Sequence, residues 1–578
     1  MISLWKASGA KAVHLFVLLL ALLLPLALLV GCGQPAPPAL ESLNLGIPTA
    51  ALQSPVKGPL SDATLLHVGI TFKVDPHVLS LVSQQPLRLG QSSNLEQFAR
   101  QLGISDSTYQ KIEDFFNAKA LTLKLSKLRT HLSLQAKAGT IARLLHTTFV
   151  LHQYKGRTFY APATPPKVPT FLANTIDAIT GLDNYSAPPR HALDITYPQT
   201  SHVLGHEAQD CSPDDQTLLP SDVATAYGYN TLYQHSLHGE QMTINLVETD
   251  GSYQDDIQNY LNCIQFKGHL SVVNVDGAPS DAEGESTLDI QMAAGLAPAA
   301  SINVYQTDGN ADGDTWTQMN DELQQVIDAN TNNASSGSVV SISLGIDEAD
   351  ISSDDARVLD SSLRQLTQVE HMTVFVASGD CGAFADETFG DLSVSFSASD
   401  PWAVAVGGTE LSVDGQHNHA HEVVWSDSLN PFECNNSWGS GGGNSSLYTR
   451  PAWQNANGVN NRYSQNDRQV PDVSAVADNL AVYFDGEWGA VGGTSAAAPI
   501  WATAQALVNE DTIRHLGSFA YAPQLFYSAA DKNGSNAYFD ITRGDNLHYP
   551  ATPGWDFATG LGTPNLARFD QIVSDTLA

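Results

Sequence analysis

Residues 492–499 read Gly-Gly-Thr-Ser-Ala-Ala-Ala-Pro, and the chain continues as the apolar stretch Ile500–Val508. This pattern predicts an apolar helix over Ala496–Val508 with Ser495 at its start. A serine in that place has its hydroxyl beside the positive end of the helix and its free backbone N–H groups. The setting suits a nucleophile whose intermediate becomes anionic. An N-cap serine is the commoner use of such a position, so the neighbours must decide. Upstream lie four short β-branched runs, Thr243–Val247, Ile302–Val304, Val339–Ile342 and Thr373–Ala377, separated by helical segments. Strands alternating with helices predict an α/β body, a parallel sheet with helices on both faces. Active groups in such folds stand at the carboxyl ends of the strands.

The string G-T-S-A-x-A-P resembles the nucleophile motif of subtilisin-like folds, and it lacks the G-x-S-x-G of lipases. A subtilisin would supply a histidine base at an H-G-T helix start. None of the 18 histidines has that setting; His238-Gly239 is followed by Glu240. Carboxylates offer another base. In Gly284–Gln291 (GESTLDIQ), Glu285 and Asp289 stand at i and i+4, on one face of a helix. Adjacent carboxyls do not both ionise easily, so one proton is shared and the working range moves towards acid. Two solvated acids on a surface helix are the alternative, disfavoured by the apolar Met292–Pro298 that follows. A third motif, Val374–Gly382 (VFVASGDCG), delivers Asp380 at the end of a buried strand. Kept neutral, Asp380 could donate a hydrogen bond to an oxyanion. An Asx-turn at a strand end is the plainer use.

The chain has 578 residues and 42% hydrophobic residues, enough for two or more folded units. A net charge of −34 argues against nucleic acid as a main partner. Lys6 and Lys11 precede an apolar run, Ala12–Val30, which reads as an export signal or a single membrane anchor. Leu29-Val30-Gly31-Cys32 resembles the bacterial lipobox and favours a signal over residues 1–31 with lipid attachment at Cys32. The expected location is the cell envelope or outside the cell, with the membrane touched only through that lipid. A Pro/Ala/Ser-rich tether is expected over 32–61. Cys211, Cys263, Cys381 and Cys434 remain, an even number suited to an oxidising compartment, with three pairings open. Residues 62–190 carry 14 basic and 8 acidic side chains, whereas 191–578 carry 10 and 52. A basic front unit therefore faces a very acidic body. It docks electrostatically and lets go as carboxylates protonate, or the two charges are unrelated surfaces. The front unit, 62–185, reads as α+β, with strands Leu66–Phe72, Leu121–Leu125 and His131–Leu134. Helices are expected over Asn94–Leu102, Ser107–Asn117 and Ala138–Phe149. A polar, Pro-punctuated linker over 186–210 is the expected cleavage zone, and the body runs from 211 to 578.

Ser495 with Glu285, Asp289 and Asp380, and no histidine, resembles the sedolisin family, the serine-carboxyl peptidases. Further matching strings are GRTFYAPATPPKVP and AITGLDN in front, then VPDVSAVAD, AVGGTE, GSGGGNSS and FDITRGDN in the body. The resemblance implies a subtilisin-like catalytic domain preceded by a ferredoxin-like activation prodomain that acts as intramolecular inhibitor. It implies an acid-active enzyme that cleaves peptides or unfolded proteins. Ser495 would be the nucleophile, Glu285 its base, Asp289 the tuning partner and Asp380 the oxyanion-hole donor. Ser440, Gly441, Gly442 and Gly443 would bind peptide backbone. One Ca²⁺ is implied, held by the Asp540 and Asp556 side chains and the Ile541, Thr552 and Gly554 carbonyls; oxygen ligands suit it. Leu344 stands where some relatives have a Trp that extends the dyad together with an acid at Glu248.

Overall fold

The computed structural model describes residues 39–83, 95–117, 121–186, 194–196, 217–282, 284–309, 315–330, 337–385, 390–427, 438–532 and 536–578. The Ala12–Val30 run, Cys32, Cys211 and Cys434 lie outside them. Among the described residues no helix is long and apolar enough to cross a membrane. Cys263 and Cys381 are both disulfide-bonded.

Order begins earlier than the tether expectation allowed. Leu40–Ser42 (β1) and Val56–Pro59 (β2) both enter sheets of the front unit, pairing with Lys167–Pro169 and Phe149–Tyr154. Leu45, Ile47 and Ala51 between them are buried in its core, so apolar spacing outweighs the Pro/Ala/Ser composition here. The central sheet takes Leu65–Phe72 (β3), Leu123–Leu125 (β4), His131–Lys137 (β5) and Ile176–Thr180, in the order β4, β5, β3, then 176–180. All neighbours are antiparallel. With helices Pro76–Ser83 (α1), Leu95–Leu102 (α2), Asp106–Asn117 (α3) and Ala138–Leu144 (α4), this is the ferredoxin-like arrangement. The helix expected over Ala138–Phe149 stops short. His146 takes φ +53°, and Phe149–Tyr154 (β6) pairs with Arg157–Pro162 (β7) as a hairpin. Thr147, Thr148 and Val150 favour that strand. Lys167–Pro169 is β8 and Ile176–Thr180 is β9.

In the body, Thr243–Glu248 (β11), His269–Asn274 (β12), Ser301–Gln306 (β13), Val339–Ile342 (β14) and Thr373–Ala377 (β15) lie parallel in the order β12-β13-β11-β14-β15. Ala403–Val413 (β16) continues the sheet in parallel, and His419–Val424 (β17) closes it antiparallel. The strand faces alternate between two cores, as period-2 side chains require. Along β15, Phe375 and Ala377 join one core while Val374 and Val376 join the other. The first core is filled by Gln254–Cys263 (α5), Glu285–Leu296 (α6), Thr494–Leu516 (α9) and Leu566–Leu577 (α10). Thr315–Asn330 (α7) and Ser353–Gln368 (α8) cover the other face.

The front unit docks on α7 and α8. Its Leu79, Val82, Leu102 and Leu128 belong to the second core of the body. Polar pairs ring that contact. His131 Nε2 lies 3.0 Å from Asp321 Oδ1, Lys155 Nζ 3.1 Å from Asp350, and the Lys127 N–H donates to Asp328 at 2.7 Å. The stretch expected as a cleavable linker, 186–210, is held at its start and again at 194–196. Ser186 donates to Asp355 at 2.5 Å. Asp194–Thr196 (β10) pairs antiparallel with Glu487–Gly492, the strand that leads into Ser495, with Asp194 opposite Gly492. An open strand edge offers unpaired N–H and C=O groups, which a polar passing segment readily satisfies.

Candidate active site

The nucleophile position is built by a turn from β19 (Glu487–Gly492, the outer strand of a hairpin with β18, Leu480–Phe484) into α9. Gly493, at φ +143°, makes the corner that a side chain would hinder, and Ser495 is one residue inside the helix. The Ser495 hydroxyl lies 3.3 Å from the Ser343 carbonyl. It also pulls on the Glu285 carboxyl, and no imidazole takes that place.

Glu285 opens α6 and Asp289 sits one turn on, both fully buried, so the surface-helix alternative does not hold. Burial pushes the Glu285 carboxyl well up, the charge of Asp289 adds to this, and the Ser495 hydroxyl pulls it back. Asp289 is pushed to about 7 by burial against hydrogen bonds from Ser343 and Glu248. Ser343 Oγ lies 2.6 Å from Asp289 Oδ2 and 3.1 Å from the Ser495 carbonyl oxygen. Glu248, at the carboxyl end of β11, is also fully buried. Burial raises it strongly, and Asp289, Asp250 and Glu285 raise it further. Four acids thus crowd into one dry space, and they titrate as a group. Leu344 is packed in the second core and gives this group no donor.

Asp380 follows β15 and reaches the same place from the other side. Its Oδ1 accepts from the Thr494 N–H and the Thr494 hydroxyl, both at 2.7 Å. Burial pushes its carboxyl to about 6 in spite of those two bonds. The Gly379 N–H donates to the Thr494 hydroxyl at 3.1 Å, which fixes the loop. Below its pKa, Asp380 is a neutral acid with a proton to donate, set beside the N-terminus of α9. Ser440–Gly443 runs along this loop. The Gly441 N–H donates to the Gly379 carbonyl at 2.7 Å, and Ser440 spends its hydroxyl on the Ala558 carbonyl. A Cβ on Gly441 would come within 2.0 Å of the Ser378 carbonyl oxygen, so the glycines allow backbones to meet.

The implied cation ligands also gather. Asp540 accepts from the Gly554 N–H at 3.1 Å, and Asp556 accepts from the Thr552 N–H at 2.7 Å. Ile541 is buried beside them. Burial pushes Asp556 to about 6, so a cation at this turn would relieve a buried charge. Two carboxyls and a tight Gly/Pro turn fit a hard cation. Among the described residues no group of three or more His, Cys, Asp or Glu side chains is poised for a metal.

Three residues of this site carry no signal in the sequence motifs. Ser343 and Asp250 stand one and two residues past β14 and β11, where strand ends alone could have pointed to them. Thr494 is adjacent to the nucleophile and looks like part of its motif.

The Pro-kumamolisin activation domain family matches residues 77–185, and the Subtilase family matches residues 276–537. Kumamolisin of Bacillus sp. (strain MN-32) is 29% identical over 500 residues, which cover 81% of this chain and 83% of the relative. Sedolisin of Pseudomonas sp. (strain 101) is 27% identical over 480 residues, covering 77% of this chain and 75% of the relative. Among solved structures, Pseudomonas sedolisin, a serine-carboxyl proteinase complexed with two molecules of pseudo-iodotyrostatin, gives a TM-score of 0.54. That match has 25% identity and covers 63% of this chain and 99% of the other.

Proposed function

Because the chain belongs to the sedolisin family of serine-carboxyl peptidases, we propose that it is an acid-active peptidase made as a self-processing zymogen. One observation carries this proposal: the Ser495 hydroxyl acts on a fully buried carboxyl, Glu285, where a neutral-pH enzyme would need an imidazole. In the proposed reaction the Ser495 Oγ attacks the scissile carbonyl carbon and its proton passes to ionised Glu285. Asp380, neutral below about 6, donates to the developing oxyanion beside the α9 N-terminus. Glu285 then returns the proton to the leaving amine, and an acyl group remains on Ser495. Water, deprotonated by the same carboxylate, releases it. Asp289 shares the proton with Glu285, so the pair is competent only while one of the two is ionised. The Ser440–Gly443 segment supports peptide backbone binding by its place along the Asp380 loop.

The prodomain contact supports acid release. Burial would raise Asp276, but His67, Asp321 and the Lys124 charge together outweigh this and hold the carboxyl low. A depressed carboxyl contributes to docking above its free value, and that contribution is lost as pH falls through the lowered value. Asp321 behaves oppositely. Burial raises it to about 6, so its protonation does not open the interface, and the switch rests with pairs such as Asp276–His67. The first test is acidification of the purified precursor from about pH 7 to about 3.5, below the ordinary carboxylate range. The wild type is expected to cut itself within the linker, between Ser186 and the β10 segment that begins at Asp194, and Ser495→Ala is expected to stay intact. Intact mass and N-terminal sequencing read the outcome. A Ser495→Ala precursor that still cuts at the wild-type rate when held alone would sink the proposal.

A structural calcium is the second part of the proposal, held by Asp540 and Asp556 and by the Ile541, Thr552 and Gly554 carbonyls. It would neutralise buried charge and pin the C-terminal turn. Chelation is expected to lower the unfolding temperature of the mature enzyme by roughly 4–10 °C, restored by added calcium. Asp540→Asn should remove that response. A melting curve indifferent to chelator and calcium would count against the site. The N-terminal address supports export with lipid on Cys32, which would tie the prodomain, and not the catalytic domain, to a membrane.

A further inference from the structure

The helix that carries the base cannot cap itself. Its N-cap is Gly284, which has no side chain and takes φ +109°. A Cβ there would come within 2.7 Å of the Phe484 ring, so no serine or aspartate fits in its place. The cap comes from another strand end. Asp250, two residues past β11 and 1% exposed, accepts the Gly284 N–H on Oδ2 at 3.0 Å and the Ser286 N–H on Oδ1 at 3.1 Å. The two bonds straddle Glu285. One carboxyl therefore grips the peptide units on both sides of the base.

We propose that Asp250 is a positioning residue for this peptidase. It caps α6 from outside, orients Glu285 towards Ser495, and places a fixed negative charge at the foot of the acid cluster. That charge sets the pH at which Glu285 becomes able to take the Ser495 proton. The inference rests on Glu285 acting as the base. Two backbone donors, one on each oxygen, and the positive end of a helix favour the ionised form of Asp250. The groups that face it are Glu248 from β11, Glu285 and Asp289 from α6, and the Tyr253 phenol from the following loop. All four are raised, and the Asp250 charge contributes to Glu248, Glu285, Asp289 and Tyr253 alike. Asp380 bears on Glu285 from the opposite side. Leu344 brings no further donor into the cluster, so burial, the Ser343 and Ser495 hydroxyls and these charges govern its protons.

The sign follows from the charge. A neutral side chain at 250 makes Glu285 and Asp289 easier to ionise, so the base form persists to lower pH. Asp250→Asn is expected to move the acid limb of the kcat/KM profile down by about half a pH unit or more. Looser seating of Glu285 is expected to lower kcat roughly tenfold at the wild-type optimum. The variant is matured with a trace of wild-type enzyme, so that slow self-cleavage does not hide the result. Asp250→Ser, a short uncharged cap, serves as the second variant and should shift the limb in the same direction. A loss of activity by a constant factor at every pH, with the limb unmoved, would make Asp250 a purely structural cap and overturn the proposal. Failure of both variants to fold, read by circular dichroism, would overturn it as well. Glu285→Gln run alongside separates the two levels. If that variant keeps its activity, the assignment of the base fails; if it is inactive while the Asp250 limb stays fixed, only the present inference fails.

Discussion

Glu285→Gln is expected to lower kcat by about four orders of magnitude on a peptide substrate, with the fold retained. Glutamine has the shape of glutamic acid and can keep a hydrogen bond to the Ser495 hydroxyl, but it cannot accept its proton. The Ser495 hydroxyl's hydrogen bond at 3.3 Å runs to the Ser343 carbonyl, which is too weak a base to take the proton. Raising the pH should therefore rescue nothing. Stability should move the other way. Burial pushes the Glu285 carboxyl well up, so at neutral pH the wild-type protein holds a strained acid that the amide removes. Steady-state kinetics across the pH range, paired with thermal melts near pH 7, would read both effects. Retention of more than a tenth of wild-type kcat would leave the site without its proposed base.

Asp380 should give the second largest effect, with a signature that distinguishes two substitutions. Asp380→Ala removes the oxyanion donor and the acceptor of both Thr494 bonds, and kcat should fall about a hundred- to thousand-fold. Asp380→Asn keeps an acceptor for Thr494 and supplies an amide donor that does not titrate. The wild-type side chain donates only when protonated, so its contribution is present in acid and is lost as pH rises through about 6. The asparagine variant should consequently retain much more activity than the alanine variant. The alkaline limb of its kcat profile should lie higher than that of the wild type. An Asn variant as weak as Ala, with an unmoved limb, would show that Asp380 is not the donor.

Much of this arrangement is legible without coordinates, and the reasons are local. The β-branched runs at 243, 302, 339 and 373 form strands because both faces are largely buried, which leaves them mostly apolar, with Asn245, Asn303 and Ser341 among the exceptions. The pattern GESTLDIQ followed by apolar chain reads as a buried acidic helix, and the helix is buried. Composition misleads where few residues decide. Leu45, Ile47 and Ala51 are buried in a stretch that looks like tether, and the left-handed turn at His146 comes before the helix could run on to Phe149. Ser343 and Asp250 were hidden for a different reason. Each acts across space on a residue more than 30 positions away, and nothing in its own neighbours marks that contact.

The pairing of β10 with β19 has a kinetic consequence. A strand tethered on both sides competes for its edge at an effective concentration in the millimolar range, because it never diffuses away. A peptide that sought the same edge, with a KM of about 1 μM to 1 mM, would meet it already taken. Latency then needs no distortion of the catalytic groups, which are assembled in the precursor as they stand. Occupancy would suffice to keep them idle, and one cut upstream frees only the N-terminal side of the strand; the chain after Thr196 still joins it to the body, so the edge clears by local fraying and not by dilution.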